Sequence, residues 1–179
     1  MGAPYLNRII QRYRRLRQQH PDTHIQFTLA QPTFHEAMTV AAKAIDHRNK
    51  IHPHQCRLGR IALEAFGNRL QKYESQLLQA QSFDEILTVV RQAKVPKICK
   101  TTFYDTAHRI GLYRQIPPDR IYLHAGTEIG VKNLFGPLHG KKFLLLSEMP
   151  PEFQRPDLSA SDLEDILCIY KGEFRVYEP

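Results

Sequence analysis

Three times along the chain, a serine or threonine is followed three residues later by a glutamate and then by apolar residues at helical spacing. The pairs are Thr33 with Glu36, Ser82 with Glu85 and Ser161 with Glu164. In such a capping box the hydroxyl accepts from the backbone N–H three residues on, while the acid reaches back to the first residue's own N–H. That geometry suits a helix start, so the pattern commits much of the sequence to helices. Behind the boxes, Ala37, Ala41 and Ile45 lie inward to about His47, Ile86, Leu87 and Val90 to about Ala93, and Leu163, Ile166, Leu167 and Tyr170 in the last helix. Residues 5–19 carry the same period without a box, through Leu6, Ile9, Tyr13 and Leu16, and the His20-Pro21-Asp22 step ends that helix. Residues 55–78 give the longest stripe (Leu58, Ala62, Phe66, Leu70, Tyr73, Leu77), which predicts a central core helix. A helix over 103–115 stops before Pro117-Pro118, and Thr127 is positioned to cap another to Leu134. Residues 121–123 are expected to be extended or a short turn, and 143–146 either a short buried strand or a core-packing segment. The expected fold is mainly α: a compact helical domain with at most a short β segment.

The 179 residues suffice for one domain with a real core, and 42% hydrophobic against 24% charged residues argues against wholesale disorder. No apolar run approaches the ~20 residues that span a bilayer, and no apolar stretch follows the N-terminal arginines as in a secretory signal. Cys56, Cys99 and Cys168 are isolated, which fits a reducing cytoplasm and no structural zinc. A cytoplasmic protein with no membrane partner is therefore expected. The net charge of +7 is uneven: residues 147–179 hold eight acids and three bases, whereas residues 1–146 hold 22 bases and ten acids. This divides the chain into a basic helical core domain, 1–146, and an acidic C-terminal linker and helix, 147–179, packed on it. A body that basic attracts a polyanion, and DNA is the expected partner, with RNA as a possibility. Arg8, Arg12, Arg14, Arg15 and Arg17 crowd the first helix with no acid among them, and each guanidinium can grip two phosphate oxygens.

Two windows concentrate chemistry. Residues 47–57, HRNKIHPHQCR, bring His47, His52 and His54 together with Arg48, Lys50 and Arg57. The metal reading is weak here, so neither a metal site nor a cofactor is expected, and a hydrogen-bonding histidine loop is the commoner explanation. The second window runs from Val95 to Gly130 and holds Tyr104, Asp105, His108 and Arg109 on one helix, then Tyr122, His124 and Thr127 beyond the Pro-Pro break. Asp105 and Arg109 form an i,i+4 acid–base pair. A catalytic group drawing on Asp105, Tyr104, His124 and His54 would offer phenol and imidazole for proton transfer beside a carboxylate, with Arg57 and Arg109 for an anion. Phosphate-binding glycine loops, nucleophile elbows and metalloprotease motifs are absent, which disfavours the common NTPase, hydrolase and metalloprotease classes.

Within the second window, the turn Val95-Pro96-Lys97-Ile98-Cys99-Lys100-Thr101 between two helices resembles the helix-hairpin-helix DNA-binding motif, written apolar-Pro-Gly-apolar-Gly followed by a basic residue and Thr or Ala. Lys97 and Cys99 stand where that family has its glycines. The resemblance implies a backbone-phosphate grip that does not read sequence, made by the turn's amides with Lys97, Lys100 and Thr101. Together with Arg8, Arg12, Arg15, Arg57 and Arg109, these are the candidate nucleic-acid contacts. Tyr104-Asp105-Thr106-Ala107-His108-Arg109-Ile110 is also similar to the Asp-Thr-His-(x)2-Arg segment of helix-hairpin-helix DNA glycosylases, which implies a base-excising role for Asp105. In that family a further helix separates the two elements, which abut here. The strings HPHQ-x-R, YDTA-x-RIG and IYLHAGT further resemble a family of bacterial proteins, a likeness that carries no activity with it. Three readings follow: a DNA-binding protein, a glycosylase-like or nuclease enzyme using Asp105, or a helical small-molecule or protein-interaction module.

Overall fold

The computed structural model describes residues 4–177, so the outermost residues of both expected segments, 1–3 and 178–179, lie outside the described residues. The helices are α1 (Pro4–Gln19), α2 (Thr23–Leu29), α3 (Phe34–Lys43), α4 (Arg60–Leu70), α5 (Glu74–Gln79), α6 (Phe83–Gln92), α7 (Lys100–Tyr113), α8 (Ala125–Phe135) and α9 (Ala160–Ile169). Two short strands, β1 (Ile121–Tyr122) and β2 (Phe143–Leu144), pair antiparallel with Ile121 opposite Leu144. The fold is mainly α. It divides into two compact units, residues 22–118 and residues 1–21 with 119–179.

In the 22–118 unit, α7 is enclosed by three other helices. It packs on α2, α3 and α6, and it buries Thr102, Phe103, Tyr104, Thr106, Ala107, Arg109, Ile110 and Gly111. Phe103 meets Phe66 of α4 with ring centroids 5.9 Å apart, and Met38, Leu63, Ile86, Leu87 and Val90 are also buried. The expected central helix over 55–78 is instead interrupted: a 3-10 turn at Cys56–Leu58, then Gly59 at φ 78°, then α4, a second 3-10 turn at Gln71–Tyr73, and α5. Gly59 takes a left-handed φ open to glycine at little cost, which stops a helix from running through. Helix α2 was not anticipated. Asp22, at φ −71° and ψ 99°, accepts from the amides of His24 and Ile25 and so opens a helix immediately after the Pro21 break.

The first two helix starts form where expected, but only the hydroxyl half of each box is made: Glu36 accepts from the Thr33 hydroxyl and Glu85 from the Gln81 amide rather than from the cap's own N–H. Thr33 Oγ1 accepts from the Glu36 amide at 3.2 Å and Ser82 Oγ from the Glu85 amide at 3.3 Å. The third is displaced by two residues. Ser159 caps α9, accepting from the Asp162 amide at 3.1 Å, while Asp162 accepts from the Ser159 N–H at 2.9 Å. Glu164, the acid expected in that box, lies a turn into α9 and is buried.

The other unit joins the two ends of the chain. Leu6, Ile9, Ile10 and Tyr13 of α1 are buried in one cluster with Leu134 of α8, Phe153, and Leu163, Ile166 and Leu167 of α9. Helices α8 and α9 pack closely because α8 presents glycines to α9: a Cβ on Gly130 would overlap the Leu167 carbonyl, and one on Gly126 would overlap the Cys168 sulfur. His124, not Thr127, is the N-cap of α8. The Thr127 hydroxyl instead donates to Glu164, and His124 Nε2 stands 3.3 Å from the same carboxylate.

Candidate functional site

Within the 22–118 unit, a loop rich in histidine meets the first turns of α2 and the middle of α7. The loop is well braced. Ile45 bridges Ile51, and Asp46 accepts from the amides of Arg48 and Lys50, both at 2.9 Å, which closes a turn that places Asn49 at φ 57°. The Lys50 carbonyl then accepts from the His24 ring at 3.1 Å. A carbonyl only accepts, so His24 Nε2 carries the proton and Nδ1 carries the lone pair, 3.8 Å from Asp22 Oδ1. The rings of His24 and His52 meet edge to face at 4.7 Å, and those of His52 and His54 at 4.9 Å. His54 Nδ1 lies 3.9 Å from Asp105 Oδ2, the same oxygen that takes a hydrogen bond from Gln55 Nε2.

Asp22 and Asp105 are distant in sequence, 30 residues before His52 and 51 residues after His54, and the fold brings them beside these imidazoles. Asp22, His24 and His52 each offer a ligand atom within 4.8 Å of the others, as do His52, His54 and Asp105. Only at these two groupings among the described residues do three potential metal-ligating side chains converge.

Electrostatics favour neutral imidazoles at His52 and His24 and a charged carboxylate at Asp22. Burial, with Arg109 adding to it, pushes the His52 pKa down to about 3, so the imidazole stays neutral at physiological pH. Burial lowers the His24 pKa as well. Burial opposes the Asp22 carboxylate, but the Ile25 amide, the Arg109 charge, His52 and the His24 amide outweigh it and hold its pKa below the usual range. Arg109 itself is only 3% exposed and donates to the Ala41 carbonyl at 3.4 Å. Burial lowers its pKa, against the opposing charges of Asp105 and Asp22. Its guanidinium is thus committed inside the unit rather than turned out toward a phosphate.

A second feature borders the same helix. Between α6 and α7, the Ile98 amide donates to the Val95 carbonyl at 3.3 Å, with Pro96 second in the turn and Lys97 third at φ 72°. A proline second and a positive φ third is the pattern of a type II turn, whose third position ordinarily calls for glycine. Lys97 therefore adopts a backbone conformation that this turn position ordinarily leaves to glycine. Cys99, at φ −119° and ψ 177°, does not; it is the N-cap of α7. Burial raises the Cys99 thiol's pKa, but the Thr102 amide and hydroxyl and the Thr101 amide outweigh it, and the net shift is downward. Lys97 and Lys100 are exposed and Thr101 is half-buried.

The remaining candidates are dispersed. Tyr104 turns into the core, where its ring lies 5.9 Å from Phe83 and 5.8 Å from His108, rather than toward His54. His124 belongs to the other unit, held with Thr127 and Glu164. Arg57 is exposed on the 3-10 turn before Gly59. In α1, the acids that the helix lacks come from the C-terminal segment of its own unit. Arg12 pairs with Glu173 at 2.6 Å, Arg14 with Asp157, and Arg17 with Asp165, while the Tyr13 hydroxyl donates to Asp162 at 2.8 Å. Arg8 and Arg15 are exposed and make no ion pair among the described residues. Hence the basic charge is distributed differently from the linear reading: the 22–118 unit holds 13 bases and eight acids, and the other unit 12 bases and ten acids. Sequence reasoning missed Asp22, His24 and Gln55 as members of the cluster. Asp22 after Pro21 was a legible helix-start signal, but nothing local linked it to residues 52–55 or 105. No family model, curated protein or solved structure matches the chain.

Proposed function

We propose that the chain is a DNA-binding protein that grips the phosphate backbone, without reading sequence, through the turn between α6 and α7. The observation that carries this reading is Lys97 at φ 72°, which keeps a glycine-type turn and sets an exposed lysine beside the N-terminus of a 14-residue helix. Backbone N–H groups at such an end, the helix dipole and two lysines all favour an anion. The excess of bases in the 22–118 unit supports it further, since phosphate neutralisation dominates non-specific affinity. RNA presents the same phosphates, and comparing a DNA duplex with an RNA duplex of matched length separates the two. In a labelled-duplex titration at low salt, the variant Lys97→Ala/Lys100→Ala is expected to lose about tenfold or more in affinity. Wild-type affinity in that variant would exclude the turn as the grip.

A second reading, nucleic-acid processing, is favoured by one contact. Asp105 is 15% exposed, is held by Gln55, and lies 3.9 Å from the exposed imidazole of His54. A carboxylate so positioned can orient the imidazole as a base for an attacking water or a departing group. Turnover on damaged or plain duplex DNA that disappears in Asp105→Asn, with duplex binding retained, would establish it. Absence of turnover in the wild-type chain would dismiss it.

A further inference from the structure

The geometry points to a divalent transition-metal site formed by His52, His54 and Asp105. Two imidazoles and one carboxylate are a ligand set that zinc and iron(II) both accept. Their ligand atoms already lie within 4.8 Å of one another, with His54 Nδ1 and Asp105 Oδ2 at 3.9 Å. Ligand atoms around a tetrahedral zinc at 2.0–2.1 Å stand about 3.4 Å apart, so small side-chain rotations are enough to close the set.

Three further observations bear on it. Gln55 is fully buried, yet its Oε1 has no hydrogen-bond partner, although its Nε2 donates to Asp105 Oδ2. An orphaned buried carbonyl oxygen beside a carboxylate is costly unless a cation or a water completes it. The same amide fixes the Asp105 carboxylate in place, as outer-shell partners do for metal ligands. On His52, Nδ1 accepts only a long bond, 3.3 Å, from the His54 amide, which is readily given up. Charge also favours a cation. Two carboxylates, Asp22 and Asp105, stand at these imidazoles against the single guanidinium of Arg109.

The neighbouring grouping of Asp22, His24 and His52 is the weaker holder. Asp22 Oδ1 is already engaged by the amides of His24 and Ile25 at 2.9 and 3.0 Å. His24 is buried, whereas the His54 side chain is 55% exposed and gives an ion both a route in and an open coordination position. This inference does not rest on nucleic-acid binding and is tested without it.

The full chain, stripped with a chelator and dialysed, is titrated with Zn²⁺ by calorimetry, and Co²⁺ absorption is recorded in parallel. One ion per chain is expected, with a visible Co²⁺ spectrum. His54→Ala, an exposed position whose loss leaves the melting temperature nearly unchanged, is expected to weaken Zn²⁺ at least tenfold, and Asp105→Asn likewise. Asp22→Asn, which keeps the helix cap, is expected to change affinity less than either. Failure to bind Zn²⁺, or wild-type affinity in His54→Ala, overturns the site. A larger loss in Asp22→Asn than in His54→Ala overturns the ligand assignment.

Discussion

Lys97 is the residue whose conformation and chemistry conflict most plainly. A side chain held at φ 72° costs roughly 1–2 kcal/mol relative to an ordinary backbone, and glycine pays part of that back in chain entropy. Lys97→Gly is therefore expected to stabilise the protein by about 0.5 kcal/mol in urea denaturation while weakening duplex binding. A variant that loses stability would show that the Lys97 side chain supports the fold and would undercut its reading as a phosphate contact. Tyr13 makes a second residue-scale prediction. Burial, with Asp165 adding to it, raises its pKa, so the folded phenol stays protonated where an unfolded one ionises. The corresponding stability is present in full below the unfolded pKa of about 10 and is lost as pH rises above it. Between pH 9 and 11 the melting temperature is expected to fall more steeply in the wild type than in Tyr13→Phe, and equal slopes would contradict this account of Tyr13.

Among the elements, α8 and α9 give the sharpest test. Their separation is set by Gly126 and Gly130, where any Cβ must displace the Cys168 sulfur or the Leu167 backbone. Because a backbone carbonyl cannot rotate aside, Gly130→Ala is expected to destabilise by about 3 kcal/mol, whereas Gly172→Ala, with open space around it, is expected to change little. A denaturant midpoint for Gly130→Ala near that of the wild type would contradict the close packing. The elements themselves were partly legible. Helices over 5–19, 83–93 and 103–115 were read within two or three residues, since their apolar stripes and stops are local signals. The third capping box was placed two residues late because Ser159/Asp162 and Ser161/Glu164 overlap, and both fit the same spacing. Helix α7 hid its centrality for a different reason: Thr106, Arg109 and Tyr104 are buried on it, and polar residues in a core break the periodicity that marks a core helix.

For the whole molecule, the decisive fact is which distant segments share a unit. The arginines of α1 seemed uncompensated because their acids, Asp157, Asp165 and Glu173, lie more than 140 positions away. Likewise the cluster at His24, His52, His54 and Asp105 draws on three separated segments, of which the sequence reading joined His54 with Asp105 and left out His24. Spacing along the chain reports helix faces; it does not report which faces meet. No helix among the described residues is long and apolar enough to cross a membrane. With three of the five α1 arginines paired inside their own unit, the proposed phosphate grip falls to the 22–118 unit. The most direct test is the salt dependence of duplex binding for the wild type, Lys97→Ala/Lys100→Ala and Arg8→Ala/Arg15→Ala. Each lost phosphate contact reduces the slope of log K against log salt by about 0.9. A slope reduced by nearly two in the lysine pair, and by less in the arginine pair, is the predicted result. An unchanged slope in the lysine pair would contradict the assignment.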